Sequence, residues 1–137
     1  MLLSTETMFL RRRFDDKTAI KMIKNAGFDA YDYSFTNMLD QPEKDILGDD
    51  YLEKANELKE YSELLGIQCN QAHAPLDFKH FNDISLDDEK YLRNIRAIEV
   101  ASILGAKNII VHPLGSVLKS DLDYFEYNTE YLKSYIP

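Results

Sequence analysis

The sequence predicts an α/β fold, a parallel sheet of about four strands with flanking helices, and three observations predict it. Gly27, Gly66 and Gly105 are each separated by 39 residues. Each stands between a run whose apolar residues have helical spacing and a short run of strand character. Seven residues after each glycine comes a polar side chain, Ser34, His73 and then His112. A glycine can take the left-handed conformation that ends a helix, so three copies of one unit, helix, stop and strand, account for all three.

The elements follow in order. Met1 to Phe9, with Ser4, Thr5 and Glu6 inside it, supplies a first strand. Arg11, Arg12 and Arg13 come next and read as a solvated loop, with contact to a phosphate at the rim of the sheet as the alternative. In DDKTAIKMIKNAG, Asp15 or Asp16 caps a helix whose apolar stripe is Ala19, Ile20, Ile23 and Ala26. FDAYDYS is the second strand. YLEKANELKEYSELLG repeats the helix with Leu52, Ala55, Leu58 and Leu65 on one face, and IQCNQAH repeats the strand. SLDDEKYLRNIRAIEVASILG is the third helix, with Ser85 as cap and an acidic first turn of Asp87, Asp88 and Glu89, as the helix dipole favours. AKNIIVH contains Ile109 to Val111, a buried-type strand. YFEYNTEYLKSYIP opens a fourth helix, in which Tyr124, Tyr127, Tyr131 and Tyr135 recur at helical spacing as a packing stripe. Alternation of this kind implies right-handed crossovers and a parallel sheet.

Length and composition set the scale. A chain of 137 residues makes one domain, 1–137, whereas a closed (β/α)8 barrel takes about 250 residues, so the chain supplies half of one. Hydrophobic residues at 45% and charged residues at 29% describe a soluble globular protein with no apolar run long enough to span a bilayer. The basic cluster follows the first apolar stretch instead of preceding it, unlike a signal peptide. A single cysteine, Cys69, suits a reducing compartment, and the cytoplasm is the expected location. Cys69 itself reads as a small core residue. The net charge of −8 makes the average surface repel nucleic acid, so neither a nucleic-acid nor a membrane partner is expected.

In parallel α/β architecture ligands gather at the carboxyl ends of the strands, where helix N-termini point at the site. Side chains alternate along a strand, so the fifth and seventh positions after each glycine share a face. Asp32 and Ser34 therefore go with Gln71 and His73, and with Ile110 and His112. Ser34, Gln71 and Asp32 have structural readings as well, as partners of loop backbone or a helix cap. His80, in DFKHFND, reads as solvent-exposed.

The runs AGFDAYDYSF, LGIQCNQAHAPLDF and ASILGAKNIIVHPLG resemble the first half of the xylose isomerase-like TIM-barrel superfamily, the sugar phosphate isomerase/epimerases, which also includes endonuclease IV-type repair enzymes. The most specific parts are His73-Ala74-Pro75 and LGAKNIIVHPLG, ending in His112-Pro113. The resemblance implies that His73 and His112 contact a small sugar or sugar phosphate or bind metal, with Ser34, Gln71 and Asp32 beside them. It implies a divalent metal, Mn, Mg, Co or Zn, and proton transfer next to a carbonyl. It also implies that most metal ligands and the paired catalytic carboxylates lie on the fifth to eighth strands, outside these 137 residues. At Asp32 many relatives carry a longer glutamate.

Three functional readings follow: a sugar isomerase/epimerase-like protein, a non-catalytic half-barrel that binds or assembles, and an endonuclease IV-like enzyme. The last lacks further metal ligands and a basic groove. A half-barrel leaves two strand edges unpaired and is expected to expose the apolar interior that a second half would cover. A homodimer or a complex with a complementary half-barrel is the expected assembly.

Overall fold

The coordinates are a computed structural model, which describes residues 1–35, 44–75, 88–113 and 121–136. The elements are β1 (Ser4–Glu6), α1 (Met8–Arg11), α2 (Asp16–Asn25), β2 (Ala30–Ser34), α3 (Tyr51–Leu65), β3 (Gln68–His73), α4 (Asp88–Leu104), β4 (Ile109–Ile110) and α5 (Asp121–Lys133). The four strands are parallel in the order β1-β2-β3-β4, the fold class predicted.

The three periodic glycines do what their spacing implies. Gly27, Gly66 and Gly105 have φ of 89°, 65° and 87°, a region that side chains with a Cβ avoid, and each redirects the chain from a helix toward a strand. At the other end of α2, Asp15 is the cap. Its carboxylate accepts from the Thr18 amide and the Thr18 hydroxyl, each at 2.8 Å. Ser85, the expected cap of α4, lies outside the described residues, as do Asp87 and the side chains of Asp88 and Glu89.

The amino-terminal segment differs from expectation. The strand is Ser4–Glu6, not Met1 to Phe9, and α1 follows at once. The Thr7 amide still donates to Asp32 O at 3.0 Å as a last sheet bond, but the Arg11 amide donates to Thr7 O at 2.9 Å and turns the chain into a helix. Arg11 is consequently no solvated loop residue. It is 2% exposed, donates to the Asp16 carboxylate and the Ser34 carbonyl, and lies 4.4 Å from the centre of the Tyr33 ring.

One face of the sheet is covered by helices. Tyr31, Tyr33 and Phe35 from the β2 segment and Cys69 and Ala72 of β3 pack against Ile20 and Ile23 of α2, Ala55 and Leu58 of α3, and Ala97, Val100 and Leu104 of α4. The rings of Tyr31, Tyr33 and Phe35 meet edge to face at 6.4 and 4.8 Å. The stripe of α3 is narrower than expected, since Leu52 is half exposed. Ser62 enters the core in its place, because its hydroxyl can bond both the Leu58 carbonyl and the buried Tyr31 phenol. The stripe holds for Tyr131 of α5 and Tyr135 just beyond its end, whose rings meet at 5.1 Å, and Tyr135 stacks on Tyr91 of α4 at 5.5 Å. The side chains of Tyr124 and Tyr127 lie outside the described residues.

The opposite face is not the apolar interior expected of half a barrel. By strand alternation it carries Ser4, Glu6, Asp32, Ser34, Gln71 and His73, with Ile110 among them. Tyr31, Tyr33, Cys69 and Ala72 are committed to the helices, which leaves a mainly polar set for this side, with the small, buried Ala30 opposite Ser4. No described helix is long and apolar enough to cross a membrane.

Candidate functional site

A register shift in β3 prepares the site. Tyr31 pairs with Cys69 but Asp32 with Gln71, so Asn70 is passed over and the 39-residue equivalence is in step from Asp32 onward. Such a bulge re-aims side chains next to it. Asp32 then stands opposite Gln71, Ser34 opposite His73, and His73 opposite Ile110 of β4. His112 follows β4 by two residues.

Asp32, Gln71 and His73 form a hydrogen-bonded trio. The Gln71 amide Nε2 donates to Asp32 Oδ2 at 2.6 Å, and His73 Nδ1 lies 2.9 Å from Asp32 Oδ1. His112 stacks on His73 with ring centres 6.0 Å apart and planes 21° from parallel. Burial, and secondarily the facing His73 ring, lower the His112 pKa below the usual histidine value. That favours a neutral ring, which can donate to or accept from a hydroxyl. Asp32 and Gln71 each lie two residues before the end of their strands, His73 ends β3, and His112 follows β4.

Ser34 is placed differently from the others. It is 1% exposed, its amide donates to Thr7 Oγ1 at 3.0 Å, and its carbonyl accepts from Arg11. Its main chain anchors the end of β2, next to the trio. Thr7 and Arg11 therefore belong to the support of the site, a role that their sequence context did not suggest. Asn70 is a second addition: its amide donates to Ser4 Oγ at 3.2 Å, across the strand between them, and its Oδ1 is buried without a hydrogen-bond partner among the described residues. Cys69 faces the core, and burial pushes its thiol up to about 12, so it is no nucleophile. His80 lies outside the described residues.

The donors on hand do not by themselves make a catalytic metal centre. Such a zinc site typically takes three protein ligands. Here His73 and His112 offer two nitrogens, Asp32 has both oxygens engaged, and no trio of His, Cys, Asp or Glu among the described residues is arranged to hold a metal ion. A separate pocket of about 300 Å3 lies on the helix side, between Asp15 and Lys17 of the α2 end and Lys54 and Glu57 of α3. Its charges are largely matched, Lys17 with Glu57 and Lys54 with Asp50, and it touches none of the four rim residues.

Four parallel strands with helices on one face and polar groups at the carboxyl rim define half of a (β/α)8-type barrel. The solved structure of apo 3-keto-D-glucoside 4-epimerase YcjR from E. coli is similar, with a TM-score of 0.58 at 17% identity. The match covers 98% of this chain and 50% of that one, so the chain spans about half the length of its structural neighbour. No family model matches the sequence, and no curated protein does.

Proposed function

We propose that the protein is sugar isomerase/epimerase-like and that its rim binds a small sugar or sugar phosphate through His73, His112 and Gln71, beside Asp32 and the end of β2 at Ser34. The observation that carries this reading is the convergence of two imidazoles, an amide and a carboxylate on the carboxyl-terminal halves of β2 and β3 and just after β4. Neutral imidazoles suit sugar hydroxyls because they exchange hydrogen bonds without imposing a full charge. The resemblance in the HAP and HP segments, and a structural neighbour that is a 3-keto-D-glucoside 4-epimerase, favour the same class.

Epimerisation next to a carbonyl needs one group to remove a proton and another to return it. The described rim offers His73 and His112 as candidates, and no step is assigned to either. A divalent metal, Mn, Mg, Co or Zn, belongs to the resemblance, and two histidines fall short of holding it alone. The second reading is a half-barrel that binds sugar without turnover, favoured by the same short donor set. In both readings the edges of β1 and β4, unpaired among the described residues, would be taken up by a second copy of the chain or by a complementary half-barrel.

Titration of the 15N-labelled protein with a panel of keto-sugars and sugar phosphates tests the class. Saturable shifts at His73 and His112 that vanish in His73→Ala are expected. A panel that produces no saturable shift at the rim overturns the sugar reading, and isomerisation assayed alongside separates turnover from binding alone.

A further inference from the structure

We propose that Asp32 is a positioning residue, whose carboxylate holds His73 in the tautomer with its proton on Nδ1 and thereby turns Nε2 into a hydrogen-bond acceptor at the rim. An ionised carboxylate only accepts hydrogen bonds, so the nitrogen 2.9 Å from Asp32 Oδ1 must carry the hydrogen. In a neutral ring the other nitrogen then bears the lone pair. Asp32 is itself held against rotation, because its second oxygen accepts from Gln71 at 2.6 Å.

The backbone around the pair is fixed from both sides. The Thr7 amide donates to Asp32 O at 3.0 Å, and the Phe35 amide donates to His73 O at 2.9 Å. The carboxylate is mostly withdrawn from solvent, with side-chain exposure of 12%, so water competes weakly for it. The geometry matches that of histidines whose tautomer and ring orientation are fixed by a carboxylate behind them. The use of this lone pair for a sugar hydroxyl rests on the function proposed above, but the tautomer does not.

The test is long-range 1H–15N correlation spectroscopy on the full chain, labelled with 15N-histidine, at a pH where the rings are neutral and with no sugar present. Only three histidines contribute, and His73→Gln assigns the relevant one. His73 is expected to show a protonated Nδ1 and an unprotonated Nε2 as its major state. Asp32→Ala is expected to lose that preference and move the ring toward the tautomer ratio of free histidine. A wild-type ring protonated at Nε2, or a folded Asp32→Ala protein with unchanged nitrogen shifts, overturns the proposal. If Asp32→Ala does not fold, the wild-type spectrum still decides. The expected tautomer together with no sugar binding would leave this role standing and overturn only the sugar reading.

Discussion

Arg11 carries more of the structure than its neighbours Arg12 and Arg13, although the three are indistinguishable in the sequence. Its guanidinium joins α1 to the start of α2 through Asp16, lies over Tyr33 and caps the Ser34 carbonyl at the end of β2. Tyr33 completes the knot by donating its phenol to Asp16 at 3.0 Å, and burial pushes its pKa well above the usual tyrosine value. Removing one partner of such a buried pair leaves the other uncompensated, which typically costs about 3 kcal/mol or more. Arg11→Met should therefore lower the unfolding free energy read by urea denaturation by that much, while Arg12→Met stays within about 0.5 kcal/mol of wild type. Equal effects of the two substitutions would contradict the assignment. That Asp32, Gln71, His73 and His112 fall on one face was legible from the 39-residue period taken with strand alternation, because a repeat places equivalent residues at equivalent positions along its strands. The bond from Asp32 to His73 was not, since it runs diagonally between strands and depends on a register that the bulge at Asn70 sets.

The helices were easier to read than the strands. Each described helix–strand boundary after a periodic glycine falls where the left-handed φ ends the helix, a local property that one residue reports. β4 is only Ile109–Ile110, and β1 only three residues, so their existence depends on neighbours that a local pattern cannot see. Among helix ends, the α2 cap allows a direct test. Two bonds from Thr18, the backbone one first, hold the Asp15 carboxyl below the usual carboxylate range. The folded state therefore binds that proton less readily than the unfolded chain. The stabilisation is present above the ordinary Asp pKa and is lost as pH falls through the lowered folded value. Asp15→Ala should cost about 1 kcal/mol at neutral pH. The gap between the variant and wild type should close in acid, as read by urea unfolding at pH 7 and below pH 3. A gap that is unchanged at the acid end would mean that the carboxylate is not the capping group.

At the scale of the whole molecule, the sheet has two open edges with the same polarity, β1 with β2 as its one described neighbour and β4 with β3. Parallel sheets are rarely left uncovered on a face, and an unpaired edge exposes backbone groups that another strand can satisfy. A two-fold axis running along the strands would set β4 of one copy beside β1 of the other, twice over. Eight parallel strands would result, the number that closes a barrel. The polar character of the face opposite the helices, with Asp32, His73 and Gln71 on it, means that closure would enclose two copies of the site rather than a purely apolar core. Charge opposes the association, since each copy carries −8, so screening should favour it. Sedimentation equilibrium at micromolar concentration is expected to give about twice the 15.9 kDa chain mass, with a dissociation constant that falls as salt is raised from low to physiological levels. Ile110→Lys, which puts a charge on the edge strand where an apolar side chain is now 37% exposed, should shift the population to single chains without lowering helix content. A mass of 15.9 kDa at every salt concentration would exclude the second copy, and a species of another mass would point instead to a complementary partner on the same two edges.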